Sequence, residues 1–176
     1  MLVKSLRVLY SEEAIQHRVR EIAEEINKLY WNESLVMLCV LKGAFMFFSD
    51  LAKHVTVAPE IDFVRVASYG DAASTSGTIS FTKDVEISLS GKHVLLVEDV
   101  VDSGRTMDFL IRQMSARGAK SLRLAALVDK KERREVDVHV DFVGFPLSSG
   151  FIVGYGLDYA EQYRNLPAVY VADVEF

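Results

Sequence analysis

The chain has 176 residues, half of them apolar, which suits one folded domain with a sizeable core and excludes intrinsic disorder. A formal charge of -5 argues against a nucleic-acid partner, because neutralising phosphates needs a basic face. The longest apolar run, residues 35–41, is far too short to cross a bilayer, and residues 1–5 lack the apolar core of a secretion signal.

In chain order, Ser11 is placed to cap a helix whose apolar positions Ile15, Val19, Ile22, Ile26 and Leu29 step by four and three. Residues 35–41 lack polar alternation and predict a strand buried on both faces. This run holds the single cysteine, Cys39, which can form no intrachain disulfide; a reducing, cytoplasmic setting is expected. Gly43 breaks the strand, and Phe45, Phe48, Leu51, Ala52 and Val55 resume helical spacing. Residues 61–67 predict a strand, and 68–80, small and polar, a long mobile loop.

Residues 93–97 predict another buried strand, followed by acidic residues and a turn. Met107, Leu110, Ile111 and Met114 mark an amphipathic helix that Gly118 is placed to end. Strands are expected at 122–128, 138–143 and 169–174. Alternating strands and helices imply an α/β fold, with a largely parallel sheet flanked by helices on both faces. Ligands bind such sheets at the carboxyl ends of the strands. The four histidines are scattered without metal-ligand spacing, and there is no internal repeat.

One strand end stands out: Val97-Glu98-Asp99-Val100-Val101-Asp102-Ser103-Gly104-Arg105-Thr106. Backbone N–H groups at a helix start are unpaired and sit at the positive end of the dipole, so they favour a phosphate. Gly104 lets the backbone approach closely, and Ser103 and Thr106 can donate hydroxyl hydrogen bonds. Glu98 and Asp99 can accept from ribose hydroxyls and help hold Mg2+, which prefers oxygen. Other nucleotide signatures fail. Gly104-Arg105-Thr106 lacks the lysine and upstream glycine of a P-loop, and Gly154-Tyr155-Gly156 lacks the third glycine of a dinucleotide fingerprint. The plain alternative is an acidic strand-to-helix turn with a capping serine.

This segment resembles the phosphoribosyl-pyrophosphate signature of type I phosphoribosyltransferases, and most closely their hypoxanthine-guanine branch. Leu41-Lys42-Gly43-Ala44, Ser68-Tyr69, Asp129-Lys130 and Phe151-Ile152-Val153-Gly154-Tyr155-Gly156-Leu157-Asp158 follow that branch in its order. The resemblance spans essentially the whole chain. It implies one phosphoribosyltransferase domain over 1–176, with a flexible lid at about 68–82 and a small hood from the N- and C-terminal segments. The activity it implies is transfer of phosphoribose from phosphoribosyl pyrophosphate to N9 of hypoxanthine, and of guanine, with Mg2+. A homodimer or homotetramer is the implied assembly, with neither nucleic acid nor membrane as partner.

The resemblance also implies residue roles. Residues 98–106, that is Glu98, Asp99, Val100, Val101, Asp102, Ser103, Gly104, Arg105 and Thr106, hold the ribose phosphate. Asp102 is the general base near purine N7. Lys42, Gly43, Ser68, Tyr69 and Arg164 meet pyrophosphate, although Arg164 can equally form a structural ion pair. Lys130 donates to the 6-oxo group, Phe151 stacks on the base, and Ile152 and Asp158 meet its edge. Glu98, Asp99 and Asp158 hold the metal. Lys131 to Arg134 is expected to be a solvated charge run. The family often carries a cis peptide before the lysine matched by Lys42. Ala44 replaces a frequent second glycine, and Ser103 and Arg105 replace a threonine and a lysine with similar donor chemistry. Rival readings are a nucleic-acid-binding regulator on the same fold and a transferase for another base.

Overall fold

The structure is a computed structural model that describes residues 2–69 and 78–175. Its elements are β1 (Leu2–Tyr10), α1 (Glu12–Leu29), β2 (Leu35–Val40), α2 (Phe45–His54), β3 (Glu60–Tyr69) and β4 (Thr78–Lys83). They continue with β5 (His93–Val101), α3 (Arg105–Ser115), β6 (Ser121–Lys130), β7 (Phe142–Leu147), β8 (Ile152–Val153) and β9 (Val169–Glu175).

Six strands form one sheet in the order β4-β3-β2-β5-β6-β7. All neighbours are parallel except β3 and β4. β2 shows why a run without polar alternation belongs in the middle: every one of its residues is buried. Leu35, Met37 and Cys39 pack on one face with α1 and α2 side chains such as Ile22 and Phe47. Val36, Leu38 and Val40 pack on the other with Met107, Leu110 and Met114 of α3. Each such side chain contributes about 1.5–3 kcal/mol of hydrophobic stabilisation. Burial, with Glu98 and Asp99 nearby, pushes the Cys39 thiol up to about 12, so it is packing material rather than a nucleophile. Ser11 caps α1, its hydroxyl accepting from the Ala14 N–H at 3.2 Å.

Several expectations are corrected. The expected loop at 68–80 is strand at both described ends, with Ser68 paired to Ile79 and Ala67 to Ser80. The alternation of Ile79 and Phe81 with Ser80 and Thr82 explains it, because Phe81 packs towards Phe109 of α3. Residues 70–77 of the expected lid lie outside the described residues. Strand β5 does not stop at Val97 but carries Glu98 and Asp99 within it, Glu98 aligning with Ala126 and Val101 with Asp129. The strand expected at 138–143 starts only at Phe142. Ahead of it, the backbone and side chain of Asp141 already occupy the Leu124 carbonyl and N–H, while Val138 and Val140 pack into the core from irregular chain.

β1 lies in the N-terminal segment expected only to join a hood, with no strand expected there. It pairs antiparallel with β9, which pairs on its other edge with β8, giving a second, three-stranded sheet. Among the described residues no helix is long and apolar enough to cross a membrane.

A buried acid fastens the edge next to β4. Asp62, on β3, accepts from the N–H groups of Phe63 (2.7 Å), Glu86 (2.7 Å) and Ile87 (3.2 Å) and pairs with Lys83 at 3.4 Å. Burial alone would raise its pKa, but these donors outweigh it and hold the carboxyl below its usual 3.8. A depressed folded-state pKa stabilises above the unfolded value and is lost as pH falls through the folded one. Wild-type stability in urea is therefore expected to drop as pH falls below 3.8, and Asp62→Asn to flatten that acid limb. Parallel curves for the two proteins would refute this role.

Candidate active site

The carboxyl ends of β2, β5 and β6 converge where the sheet rule places a ligand. A cavity of about 340 Å³ is lined there by Asp99, Val100, Asp102, Lys130, Phe151, Ile152 and Asp158, together with Glu132, Arg133, Gly150 and Leu157. A second concavity of about 140 Å³ adjoins it, lined by 98–104, Thr106 and Met107. Asp99, Val100 and Asp102 belong to both.

Gly104 forms the N-terminal cap of α3 with φ 84, a left-handed conformation that suits glycine, and a Cβ there would lie 2.3 Å from the Val136 carbonyl oxygen. The residue thus serves the turn itself as well as any ligand approach. The Ser103 hydroxyl accepts from the Arg105 N–H at 3.4 Å. The Arg105 side chain instead pairs with Glu135 and lines a separate groove with Ile79 and Phe109.

Asp102 is the most telling group. Its Oδ1 is buried and finds no hydrogen-bond partner among the described residues, and its Oδ2 lies 3.7 Å from the Lys130 Nζ. Buried polar atoms are normally paired, so this orphan singles out Asp102 among the residues of the cavity wall. Lys130 is itself buried, at 7% exposure, and also meets Glu132 at 3.1 Å. Glu132 in turn accepts from the Gly150 N–H at 3.3 Å, next to Phe151. Phe151 stays 41% exposed, and its ring meets Tyr159 edge-on.

Glu98 is buried, and its Oε1 accepts from the Asp99 N–H at 3.0 Å. Burial, with the Asp99 carboxylate beside it, pushes its carboxyl well above the usual range. Asp99 Oδ1 accepts from the Val100 N–H at 2.8 Å. Among the described residues no three His, Cys, Asp or Glu side chains converge on a metal position.

Of the residues expected at pyrophosphate, Lys42, Gly43, Ser68 and Arg164 line neither concavity. Lys42 and Gly43 follow β2, and the Leu41–Lys42 peptide is cis. Lys42 Nζ pairs with Glu161 at 2.9 Å, while Arg164 pairs with Asp158 at 2.8 Å and donates to the Gly156 carbonyl at 2.8 Å. Asp158 also accepts from the Glu161 N–H at 2.9 Å, so segment 158–164 folds over Lys42 and is closed by its own ion pairs. Behind it, the Tyr155 hydroxyl donates to Asp50 at 2.6 Å; burial and that carboxylate push the phenol up. Ser68 and Tyr69 end β3, at the border of the described residues.

Arg134 departs from the expected solvated run. Its guanidinium is largely buried and bonds to the carbonyls of Val101, Asp102 and Lys130 and to the Asp129 carboxylate. Position within a charge run carries no sign of this. Only the fold brings the end of β5 against that loop.

Known proteins resemble this chain over most of its length. The phosphoribosyl transferase domain family matches residues 7–160. The chain is 44% identical over 163 residues to the hypoxanthine-guanine phosphoribosyltransferase of Bacillus subtilis (strain 168), covering 93% of this chain and 91% of that one. It is also 44% identical over 171 residues to the enzyme of the same name from Aquifex aeolicus (strain VF5), covering 97% and 96%. A crystal structure of a hypoxanthine phosphoribosyltransferase from Staphylococcus aureus matches with TM-score 0.91 at 37% identity, over 97% of this chain and 92% of that one. A hypoxanthine-guanine phosphoribosyltransferase from Bacillus anthracis, with a HEPES molecule in its active site, matches at TM-score 0.89 and 40% identity over 98% of both chains. The chain therefore belongs to the phosphoribosyltransferase family, in its hypoxanthine-guanine branch, and has the type I fold.

Proposed function

We propose that the chain transfers phosphoribose from phosphoribosyl pyrophosphate to N9 of hypoxanthine and guanine, giving IMP or GMP and pyrophosphate. The observation that carries this reading is the Asp102–Lys130 pair, a buried carboxylate oxygen without a partner among the described residues and a buried amine, both residues lining one cavity. In this reading a 6-oxopurine lies on Phe151. Lys130, a donor only, meets the 6-oxo group, and the same contact rejects the amino group of adenine. Ile152 and Asp158 meet the other edge.

The 5′-phosphate sits on the turn at 102–106, where main-chain amides and the Ser103 and Thr106 hydroxyls supply donors. As the N9–C1 bond forms, the C1–pyrophosphate bond breaks and Asp102 takes the purine proton at N7. Positive charge develops at C1, so water must be kept out; residues 68–82 are assigned as the lid that does so. The strands at both chain ends, β1 and β9 with β8, are assigned as the hood. Lys42, Gly43, Ser68, Tyr69 and Arg164 are assigned to pyrophosphate. Lys42 and Arg164 would exchange their present partners for that anion.

Mg2+ is usually held by one or two carboxylates together with substrate phosphates. Asp99 and Asp158 on the cavity wall fit that mode. Glu98, in the smaller concavity beside Asp99, is assigned to the ribose hydroxyls and to the ion. Bound there, the ion would neutralise pyrophosphate charge. Exposed Phe45, Ile61 and Phe63, on α2 and β3, are the surface assigned to a homodimer or homotetramer, which sedimentation of the pure protein reads. A cytoplasmic setting belongs to the same proposal.

The direct test follows nucleotide formation from hypoxanthine, guanine, xanthine and adenine with phosphoribosyl pyrophosphate and Mg2+. Turnover of hypoxanthine and guanine and none of adenine is expected. Silence with every 6-oxopurine would end the assignment. The order among the three 6-oxopurines rests on about 1–3 kcal/mol, the scale of one methyl or one hydrogen bond in the pocket.

A further inference from the structure

Three consecutive carbonyls of the turn after β5 are all taken by one short segment. Arg134 Nη2 donates to the Val101 carbonyl at 3.0 Å and Nε to the Asp102 carbonyl at 2.8 Å. The N–H groups of Glu135 and Val136 both donate to the Ser103 carbonyl, at 2.9 and 3.0 Å. Arg134 Nη2 also reaches the Lys130 carbonyl at 3.2 Å and the Asp129 carboxylate, and Nη1 reaches the Val138 carbonyl at 3.4 Å. Only 14% of the arginine side chain is exposed, and Asp129, 11% exposed, balances its charge.

In a planar trans peptide the N–H points opposite to the carbonyl of the preceding residue. With the carbonyls of Val101, Asp102 and Ser103 turned onto residues 134–136, the N–H groups of Asp102, Ser103 and Gly104 are turned the other way. The arginine segment therefore sets the direction of the donors assigned to phosphate. The guanidinium also spans two strand ends, β5 with Asp102 and β6 with Asp129 and Lys130. It thereby fixes the spacing of the carboxylate and amine that stand 3.7 Å apart.

We infer that Arg134 is a positioning residue for the transfer: it touches no reacting atom, but it holds Asp102, Lys130 and the phosphate-facing amides in mutual register. This inference rests on the function proposed above. Arginine is specific to the task. Its planar fork is always charged and serves several acceptors in fixed directions, whereas a lysine ammonium serves them as one point on a flexible stem. Placement errors of about 1 Å at a catalytic group cost on the order of 100-fold in rate.

The experiment compares wild type with Arg134→Ala and Arg134→Lys for kcat, KM for hypoxanthine and for phosphoribosyl pyrophosphate, and Tm. Each assay is repeated with methylguanidine below denaturing concentration and with methylammonium as control. The expected result is a fall in kcat of on the order of 100-fold for Arg134→Ala. Methylguanidine should restore part of it and methylammonium none. Arg134→Lys should stay impaired at a Tm near that of wild type, which keeps the test decisive if the alanine variant folds poorly.

A residue that only holds the fold would lower Tm and the active fraction while leaving kcat per folded molecule unchanged, and that result overturns the inference. Loss that methylguanidine does not restore overturns it too. Wild type that makes no nucleotide from any 6-oxopurine removes the underlying function as well. Normal wild-type turnover with undiminished variants removes the positioning role alone.

Discussion

Asp102→Asn is expected to lower the rate of the chemical step by on the order of 10²- to 10⁴-fold, the range for a positioned general base. The substitution keeps the shape of the side chain and the hydrogen bond that its backbone carbonyl accepts from Arg134. What it removes is an oxygen able to take a proton. In wild type Oδ1 has no hydrogen-bond partner among the described residues, the other oxygen faces Lys130, and the purine proton is assigned to this carboxylate. The phosphate is assigned to main-chain amides, which the asparagine leaves in place. Affinity for phosphoribosyl pyrophosphate should therefore change far less than the rate. Single-turnover kinetics beside calorimetric titration of that substrate separates the two. Equal losses in both would show Asp102 to be a scaffold residue instead.

Gly43→Ala should nearly abolish activity while barely touching stability. A Cβ on Gly43 would lie 1.7 Å from Asp99 Oδ2 and 2.4 Å from its Cγ. Something must move, and the end of an aspartate moves more easily than backbone. Turning that carboxylate away breaks its bond to the Val100 N–H and costs about 1 kcal/mol, as a strained rotamer does. At this chain length that is roughly 2–4 °C in Tm. The same movement withdraws Asp99 from the cavity wall, where it is assigned to Mg2+ and the ribose. Turnover is expected to fall on the order of 100-fold, with more Mg2+ needed for half-maximal rate. Thermal melts and a Mg2+ titration of activity read both halves. An unchanged Mg2+ dependence would place the ion elsewhere.

What could be read from residues alone follows physical range. β2 was legible because burial on both faces writes itself into six successive side chains. α1 was legible because Ser11 and the spacing of Ile15, Val19 and Ile22 are local signals. The turn at 98–106 was legible because phosphate chemistry compresses its donors and acids into one short stretch. Lys130 was visible only through the family, since in isolation it opens a charge run.

The failures share a cause. β1 exists because β9, at the other end of the chain, offers it a partner, and β4 because β3 turns back on it. Residues 138–141 lost their strand to an aspartate that had already bonded Leu124. Arg134 looked like its neighbours until the sheet set β5 beside it. Periodicity reports what a residue meets within a turn or two, and none of these partners lies that close.

The second sheet imposes an order on assembly. Tyr170 and Val171 of β9 are paired on one edge with Val153 and Ile152 and on the other with Val8 and Arg7. A chain growing from its N-terminus can therefore lay down the phosphate turn while Val8 still waits for its neighbour and Ile152 has no ladder to join. The ladder that holds Ile152, beside Phe151 on the cavity wall, is completed only with the final strand.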